Sequence, residues 1–335
     1  MPPPLALFQH PTVTYLIDDS PVFLQSLAFQ LDRRIVSRSF HDTSLALRTL
    51  LAFHDAGASS PPLRINYDEQ MMSLERCTIA VDIDHLYRQA RNARRFDTPS
   101  VLVIDYAMPQ MNGLEFCEAV RHLPCKKILF TGEGDERVAV EAFNKGLIDR
   151  YIRKGDDDAL DTLEVEVLAL QQQYFAAQAD TMQRLLQVHN FGFFSDPAVA
   201  LLAEELSVRF NFVEHYLFPN PSGILFLTHD GTAMLLVIET ETSLISHFEV
   251  ARDNGAPPEL LACLVQCQIV PFFYQSDGMY TQSLGGDWRA YCQPAQAWHG
   301  RQTYYWALFD LPSKYLQGPL FSYAQYMREK AASVA

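Results

Sequence analysis

Features that would place a protein at once are missing from these 335 residues. The six cysteines are spread along the chain with no Cys-X-X-Cys pair, which argues against a disulfide framework and against a thiolate zinc site. No apolar run approaches the roughly eighteen residues of a membrane helix, so membrane insertion is not expected. The opening Met1-Pro2-Pro3-Pro4-Leu5 lacks the positive segment and apolar core of a secretion signal. A cytoplasmic location with reduced thiols is therefore the expectation. Positive charge is scarce: 26 basic side chains stand against 40 acidic ones, a net of −14. Phosphate backbones are held by clustered Lys and Arg, so an acidic chain of this size is a poor candidate for holding nucleic acid by bulk electrostatics. What is plentiful is apolar surface, 48% of residues, which rules out a disordered chain. The length sets a prior of two domains.

The first half alternates strand-like and helix-like segments. Thr12–Ile17 is a β-branched run ending at Asp18-Asp19, and Pro21 opens a helix with Phe23, Leu24, Leu27 and Leu31 at helical spacing. Ile35–Phe40 reads as a strand, and Asp42 or Thr43 caps a helix through Phe53. Val101–Ile104 is a continuous apolar strand ending at Asp105. Leu114–His122 reads as helix, Lys127–Phe130 as strand, Asp135–Lys145 as helix and Arg150–Ile152 as strand. This rhythm predicts an α/β fold, a doubly wound five-stranded parallel sheet.

Residues 55–98 interrupt it. They hold a loop at Gly57–Pro62 and a predicted helix around Asp84–Arg95, where Arg88, Arg91, Arg94 and Arg95 form a basic stripe read as a solvated face. From Asp157 to His189 a long helix is predicted, with Leu160, Leu163, Val167, Leu170, Tyr174 and Ala177 in a 3-4 seam. At about 1.5 Å per residue it outlasts a small sheet, so its far half must meet a second domain or a second chain. The expected division is residues 1–155, a linking helix at 156–189, and an α+β domain at 190–335. In that last part Ile224–Thr228 and Ala233–Ile238 flank Asp230-Gly231 as a hairpin, Pro257-Pro258 opens a helix, and Trp288–Cys292 and Thr303–Leu308 read as strands.

The chemistry lies at the strand ends. Asp18 and Asp19 follow the first strand and Asp105 follows the strand at 101–104. If those strands are neighbours, the carboxylates meet at the carboxyl edge of the sheet, the usual binding crevice of open α/β folds. Clustered carboxylates need a cation or a raised pKa, and Mg²⁺, a hard ion with oxygen ligands, is the natural guest. Thr131 ends the strand at 127–130 and Lys154 follows that at 150–152. A carboxylate nucleophile, a divalent cation, a hydroxyl and an ammonium are what phosphoryl transfer to Asp requires. Each of these residues alone is a common turn or surface group; the ordered set of five residues, each at a strand end, carries the signal.

On these motifs, Leu16-Ile17-Asp18-Asp19-Ser20-Pro21, Val103–Pro109, Asn112-Gly113, Thr131-Gly132 and Tyr151-Ile152-Arg153-Lys154, residues 12–155 resemble the receiver domain of two-component response regulators. The resemblance implies that Asp105 is the phosphoacceptor, that Asp19, Asp105 and the Ala107 carbonyl ligate Mg²⁺ with Asp18 acting through water, and that Thr131 and Lys154 hold the phosphoryl group. Thr131 and Tyr151 would form the switch, a histidine kinase would be the donor, and a homodimer would form through the receiver face and the long helix. The chain departs from the family in its spacing of 86 residues between Asp19 and Asp105, roughly twice the usual, and in Gly155 where a proline is usual.

The second half carries seven basic and 14 acidic residues with no recognition helix, which disfavours a DNA- or RNA-binding transcriptional regulator. An enzyme acting on a nucleotide or signalling molecule is a further alternative. His215, His229, Asp230, Glu239, Glu241, His247 and His299 could serve it, yet none forms HExxH, GxSxG or a Gly-rich phosphate loop. Glu239 and Glu241 read as one face of a solvated strand edge, and Cys263 and Cys267 as core residues of an apolar helix. Beyond autocatalysed phosphoryl transfer to Asp105 no enzyme is expected. The output domain is read as a module that binds a protein, nucleotide or small molecule, and the layout is similar to the response regulators of α-hydroxyketone quorum-sensing circuits.

Overall fold

The computed structural model describes residues 4–56, 63–67, 77–81, 86, 89–132, 136–186, 191–276, 278–284, 287–316 and 320–334. The chain folds as two compact units, residues 11–61 with 94–178, and residues 1–10 with 62–93 and 179–335. It opens with a two-residue strand, β1 (Phe8–Gln9), that belongs to the second unit.

The first unit runs β2 (Val13–Ile17), α1 (Pro21–Gln30), β3 (Val36–Phe40) and α2 (Thr43–Ala56). A β-ribbon of β4 (Leu63–Tyr67) and β5 (Cys77–Val81) intervenes. The unit then resumes with β6 (Pro99–Ile104), α3 (Gly113–Ala119), β7 (Lys126–Thr131), α4 (Glu136–Asn144), β8 (Arg150–Arg153) and the first turns of α5 (Ala159–Leu186). The sheet order is β3-β2-β6-β7-β8, every pair parallel. Every residue of β2 and β6 is buried, as expected for central parallel strands with helices on both faces. Leu16, Val103, Ile128 and Ile152 of the sheet pack with Leu24 and Leu27 of α1 and Leu163, Val167 and Leu170 of α5. Local chemistry sets the helix starts. Ser20 accepts from Phe23 N ahead of Pro21, Asp42 accepts from Ser44 N and Leu45 N, and Asn112 with Glu115 makes a capping box on α3.

Five strands and their helices thus stand where the hydrophobic rhythm puts them. The segment at 55–98 differs. Its described residues hold the β4–β5 ribbon, Leu86 in α-helical conformation, and 3₁₀ turns at Gln89–Arg91 and Ala93–Asp97 where the expected helix was to continue. The basic stripe is solvated only in part: Arg94 is exposed, but Arg95 is 2% exposed with its guanidinium over the Phe96 ring, and Arg91 donates to the Tyr315 carbonyl. Leu86 and Ala90 lie in the apolar cores of the second unit. The loop at Gly57–Pro62, Asp84 and Arg88 lie outside the described residues.

In the second unit α6 (Pro197–Phe210) is followed by β9 (Phe212–Phe218), β10 (Gly223–Thr228) and β11 (Ala233–Thr240). Helices α7 (Glu241–Asp253) and α8 (Pro258–Val265) come next, then β12 (Ile269–Pro271), β13 (Cys292–Pro294), β14 (Gln296–His299), β15 (Thr303–Asp310), α9 (Ser313–Leu316) and α10 (Tyr323–Val334). The antiparallel sheet has order β1-β9-β10-β11-β15-β14, and β12 pairs with β13. Side chains alternate across it with period two. Ile224 and Phe226 face a core with α6 and the last turns of α5, while Leu225 and Leu227 face one with Val270 and Phe272.

The helix seam is occupied within the chain itself. Leu163, Val167 and Leu170 pack in the first unit, and Ala179, Met182 and Leu186 in the second, whereas Ala177 is exposed. The hairpin between β10 and β11 has the paired register expected, but its turn is a three-residue loop with Gly231 at φ +90°, not a two-residue type I′ turn. Trp288–Tyr291 is a 3₁₀ turn and the strand begins at Cys292. Glu239 is the penultimate residue of β11 and Glu241 begins α7, so the two share no strand face, and Glu239 is buried, not solvated. Cys267 lies past the end of α8 at φ +52°.

Candidate functional site

The strand register decides which residues meet. Ile17 of β2 lies opposite Ile104 of β6, so the next residues, Asp18 and Asp105, leave the sheet side by side. Here the strand order reverses, with β3 to one side of β2 and β6, β7 and β8 to the other, which makes this edge the switch-point crevice. Asp18 Oδ1 accepts from Ser20 N at 2.8 Å, and Asp105 Oδ2 accepts from Ala107 N at 3.0 Å, so each carboxylate is oriented by its own turn. Both are buried, at 5% and 7% exposure.

Lys154, just beyond β8, joins them. Its ammonium donates to Asp18 Oδ2 at 2.5 Å and to Asp105 Oδ1 at 2.7 Å, and sits 4.2 Å from the Phe23 ring centroid. Its backbone N–H donates to the Thr131 carbonyl, which ties the end of β7 to the loop that carries the lysine. Thr131 is buried, Tyr151 is half-buried on β8 opposite Leu129, and Asp19 is exposed. Phe23 was not marked as a site residue by the sequence; its place two residues after the helix-opening Pro21 carries no such signal.

Gly113 explains the Asn112-Gly113 motif. A Cβ there would lie 2.3 Å from the Asp105 backbone oxygen, so helix α3 can approach the acceptor loop only with glycine at its start. The approach is reinforced by Gly113 N donating to the Tyr106 carbonyl.

Among the described residues no group of three His, Cys, Asp or Glu side chains is disposed to hold a metal; Lys154 spans the two buried carboxylates and Asp19 lies outside the pair. The donor set nonetheless suits Mg²⁺. It is all oxygen, and three carboxylates against one ammonium leave two negative charges uncompensated.

The other titratable candidates do not assemble. His215 is buried with Nε2 on the Ala6 carbonyl, and burial lowers its pKa to about 4. His229 stands edge-on to Tyr323, and Asp230 accepts from Thr228 and Thr232 in the hairpin turn. His299 is exposed. Glu239 and His247 alone form a buried pair, Oε1 to Nε2 at 3.4 Å.

A five-stranded parallel sheet with two aspartates and a lysine converging at its switch point defines a receiver domain, here in a chain with an additional antiparallel-sheet unit. The family model for the response regulator receiver domain matches residues 66–163. Asp18 and Asp19 precede that stretch, and the β2–β6 register brings Asp18 to it. Over 97% of this chain and 95% of the other, at 30% identity and a TM-score of 0.79, the protein is similar to the Legionella pneumophila response regulator LqsR. The chain belongs to the response-regulator family. It is also similar to the receiver domain of the Francisella response regulator 1452, at 15% identity over 48% of this chain and 98% of the other, with a TM-score of 0.31. A search of the curated proteins found no match.

Proposed function

We propose that Asp105 accepts a phosphoryl group from a phosphohistidine of a partner kinase, and that the resulting acyl phosphate controls dimerisation and the second unit. The observation that carries this reading is the Lys154 ammonium held between Asp18 and Asp105 at the switch point. A carboxylate oxygen of Asp105 attacks phosphorus, the P–N bond breaks, and the histidine leaves with its electron pair. Lys154 exchanges its contact with Asp105 for one with a phosphoryl oxygen, and the Thr131 hydroxyl donates to another. Asp18, Asp19, Asp105 and the Ala107 carbonyl are the groups that would hold Mg²⁺. The ion, when bound, supplies Lewis-acid compensation of the phosphoryl charge.

The threonine's movement toward phosphate would draw Tyr151 inward and shift the population of the α4–β8–α5 face. Val140 and Phe143 on α4, 59% and 53% exposed, give that face apolar surface suited to a second copy. Residues 190–335 are read as the output module, binding a protein, nucleotide or small molecule, and the resemblance to regulators of α-hydroxyketone quorum sensing supplies the class of circuit. The scattered, acid-rich charge of this part supports a role without DNA contact, and the response-regulator class supports a cytoplasmic location. Incubation with Mg²⁺ and acetyl phosphate tests the reading. Phosphate on Asp105, lost in Asp105→Asn, is expected, and labelling of the Asn variant at the wild-type rate would overturn it.

A further inference from the structure

A cavity of about 800 Å³ opens in the second unit beside the end of β11 and the first turns of α7, within the size range of small-molecule sites. Phe193, Ile238, Met279 and Tyr304 supply apolar and aromatic wall, and Thr242 and Ser246 supply hydroxyls. One wall is built around Gly278, at φ +88°, where a Cβ would come within 2.9 Å of Asn220 Oδ1.

The buried Glu239–His247 pair lines this cavity. Glu239 is 6% exposed, and among the described residues its one polar partner is His247, at the long distance of 3.4 Å. His247 is 8% exposed and its Nδ1 is buried without a hydrogen-bond partner. A carboxylate withdrawn from water is costly unless a cation or several donors compensate it. Among the described residues no Lys or Arg lines the cavity to do so.

We propose that the cavity binds a small polar molecule bearing a cationic nitrogen, an amine or a guanidine, which pairs with Glu239. This deepens, and rests on, the reading of residues 190–335 as a binding module. An anionic ligand is disfavoured by the carboxylate and by the lack of Lys or Arg among the described lining residues. The α7 N-terminus offers little to an anion, because Thr240 and Ser243 already cap it reciprocally. Catalysis by the pair is disfavoured too. Ser243 Oγ donates to the Thr240 carbonyl and Ser246 Oγ to the Thr242 carbonyl, so neither hydroxyl is activated by His247.

Isothermal titration of the full-length, unphosphorylated protein with agmatine tests this, with ATP and myo-inositol as anionic and neutral comparisons. At about 0.15 M salt non-specific attraction to the acidic chain is screened. Saturable 1:1 binding of agmatine is expected, weakened at least tenfold by Glu239→Gln and by Thr242→Trp. Thr242 is exposed, so its variant tests the cavity even if the Glu239 variant fails to fold. Absence of saturable agmatine binding, survival of binding in both variants, or tighter binding of ATP or myo-inositol would overturn the proposal. Acetyl phosphate labelling of Asp105 in the same variants separates this failure from that of the receiver reading.

Discussion

The Nζ of Lys154 lies 2.7 Å from Asp105 Oδ1, so in the unphosphorylated protein the ammonium rests on the carboxylate expected to accept phosphate. Nucleophile and charge carrier are in contact before any donor arrives, and electrostatic preorganisation of this kind lowers the cost of charge developing in transfer.

Replacing Lys154 by Met should expose this arrangement. Two buried carboxylates would lose their shared cation, one 6% and the other 8% exposed. Because the ammonium itself is partly solvated, the loss should be about 1–3 kcal/mol, less than for a fully buried pair. Urea unfolding with and without Mg²⁺ reads it, and added Mg²⁺ should narrow the difference from wild type. An equal deficit at all Mg²⁺ concentrations would count against a cation site at Asp18 and Asp105.

Gly113→Ala should disturb the acceptor loop through the backbone. The new methyl would meet the Asp105 oxygen at 2.3 Å, and overpacking of this kind costs about 1–3 kcal/mol. The melting temperature should fall and the rate of acetyl phosphate labelling with it. Unchanged values for both would mean that α3 moves away freely.

Phe143→Glu tests the dimer face. The side chain is 53% exposed on α4, so the monomer should fold normally and accept phosphate at the wild-type rate. Light scattering after beryllofluoride treatment should show dimer for the wild type and monomer for the variant.

The acid side of the stability profile should carry the signature of His215. Its folded-state pKa is lowered to about 4 by burial, below an ordinary value near 6.5. Between those pH values the unfolded chain binds the extra proton. The stabilisation is therefore complete above about pH 6.5 and is lost as pH falls toward about 4, by about 3 kcal/mol in all. His215→Gln should remove one proton from the pH dependence of unfolding free energy in that window.

Much of the receiver half was legible because its signals are local. A β-branched run, a Pro at the first helical turn, a capping Asp42 and an apolar strand each declare themselves within a few residues, and the structure places Val13–Ile17, Pro21–Gln30 and Pro99–Ile104 accordingly. The segment at 55–98 was less legible. An Arg-rich stretch reads as solvated helix by periodicity, but Arg95 is buried against Phe96 and Leu86 joins the core of the other unit. Burial there is decided by partners far away in sequence. Glu239 was misplaced for the same reason, since the eight-residue strand that carries it runs into α7, where a capping threonine at 240 ends it.

By itself the sequence determined the order of chemical groups, Asp18, Asp19, Asp105, Thr131 and Lys154, each after a recognisable strand, because strand and turn preferences act over a few residues. It also determined the acidic charge of the second half, seven basic residues against 14 acidic. Only the tertiary structure decided that β2 and β6 are neighbours in a register that sets Asp18 beside Asp105, which is a matter of pairing across the 44-residue segment 55–98. Tertiary packing likewise brought Glu239 and His247 together at a cavity, since no spacing rule links the end of a strand to the second turn of the next helix until both are buried against a common core.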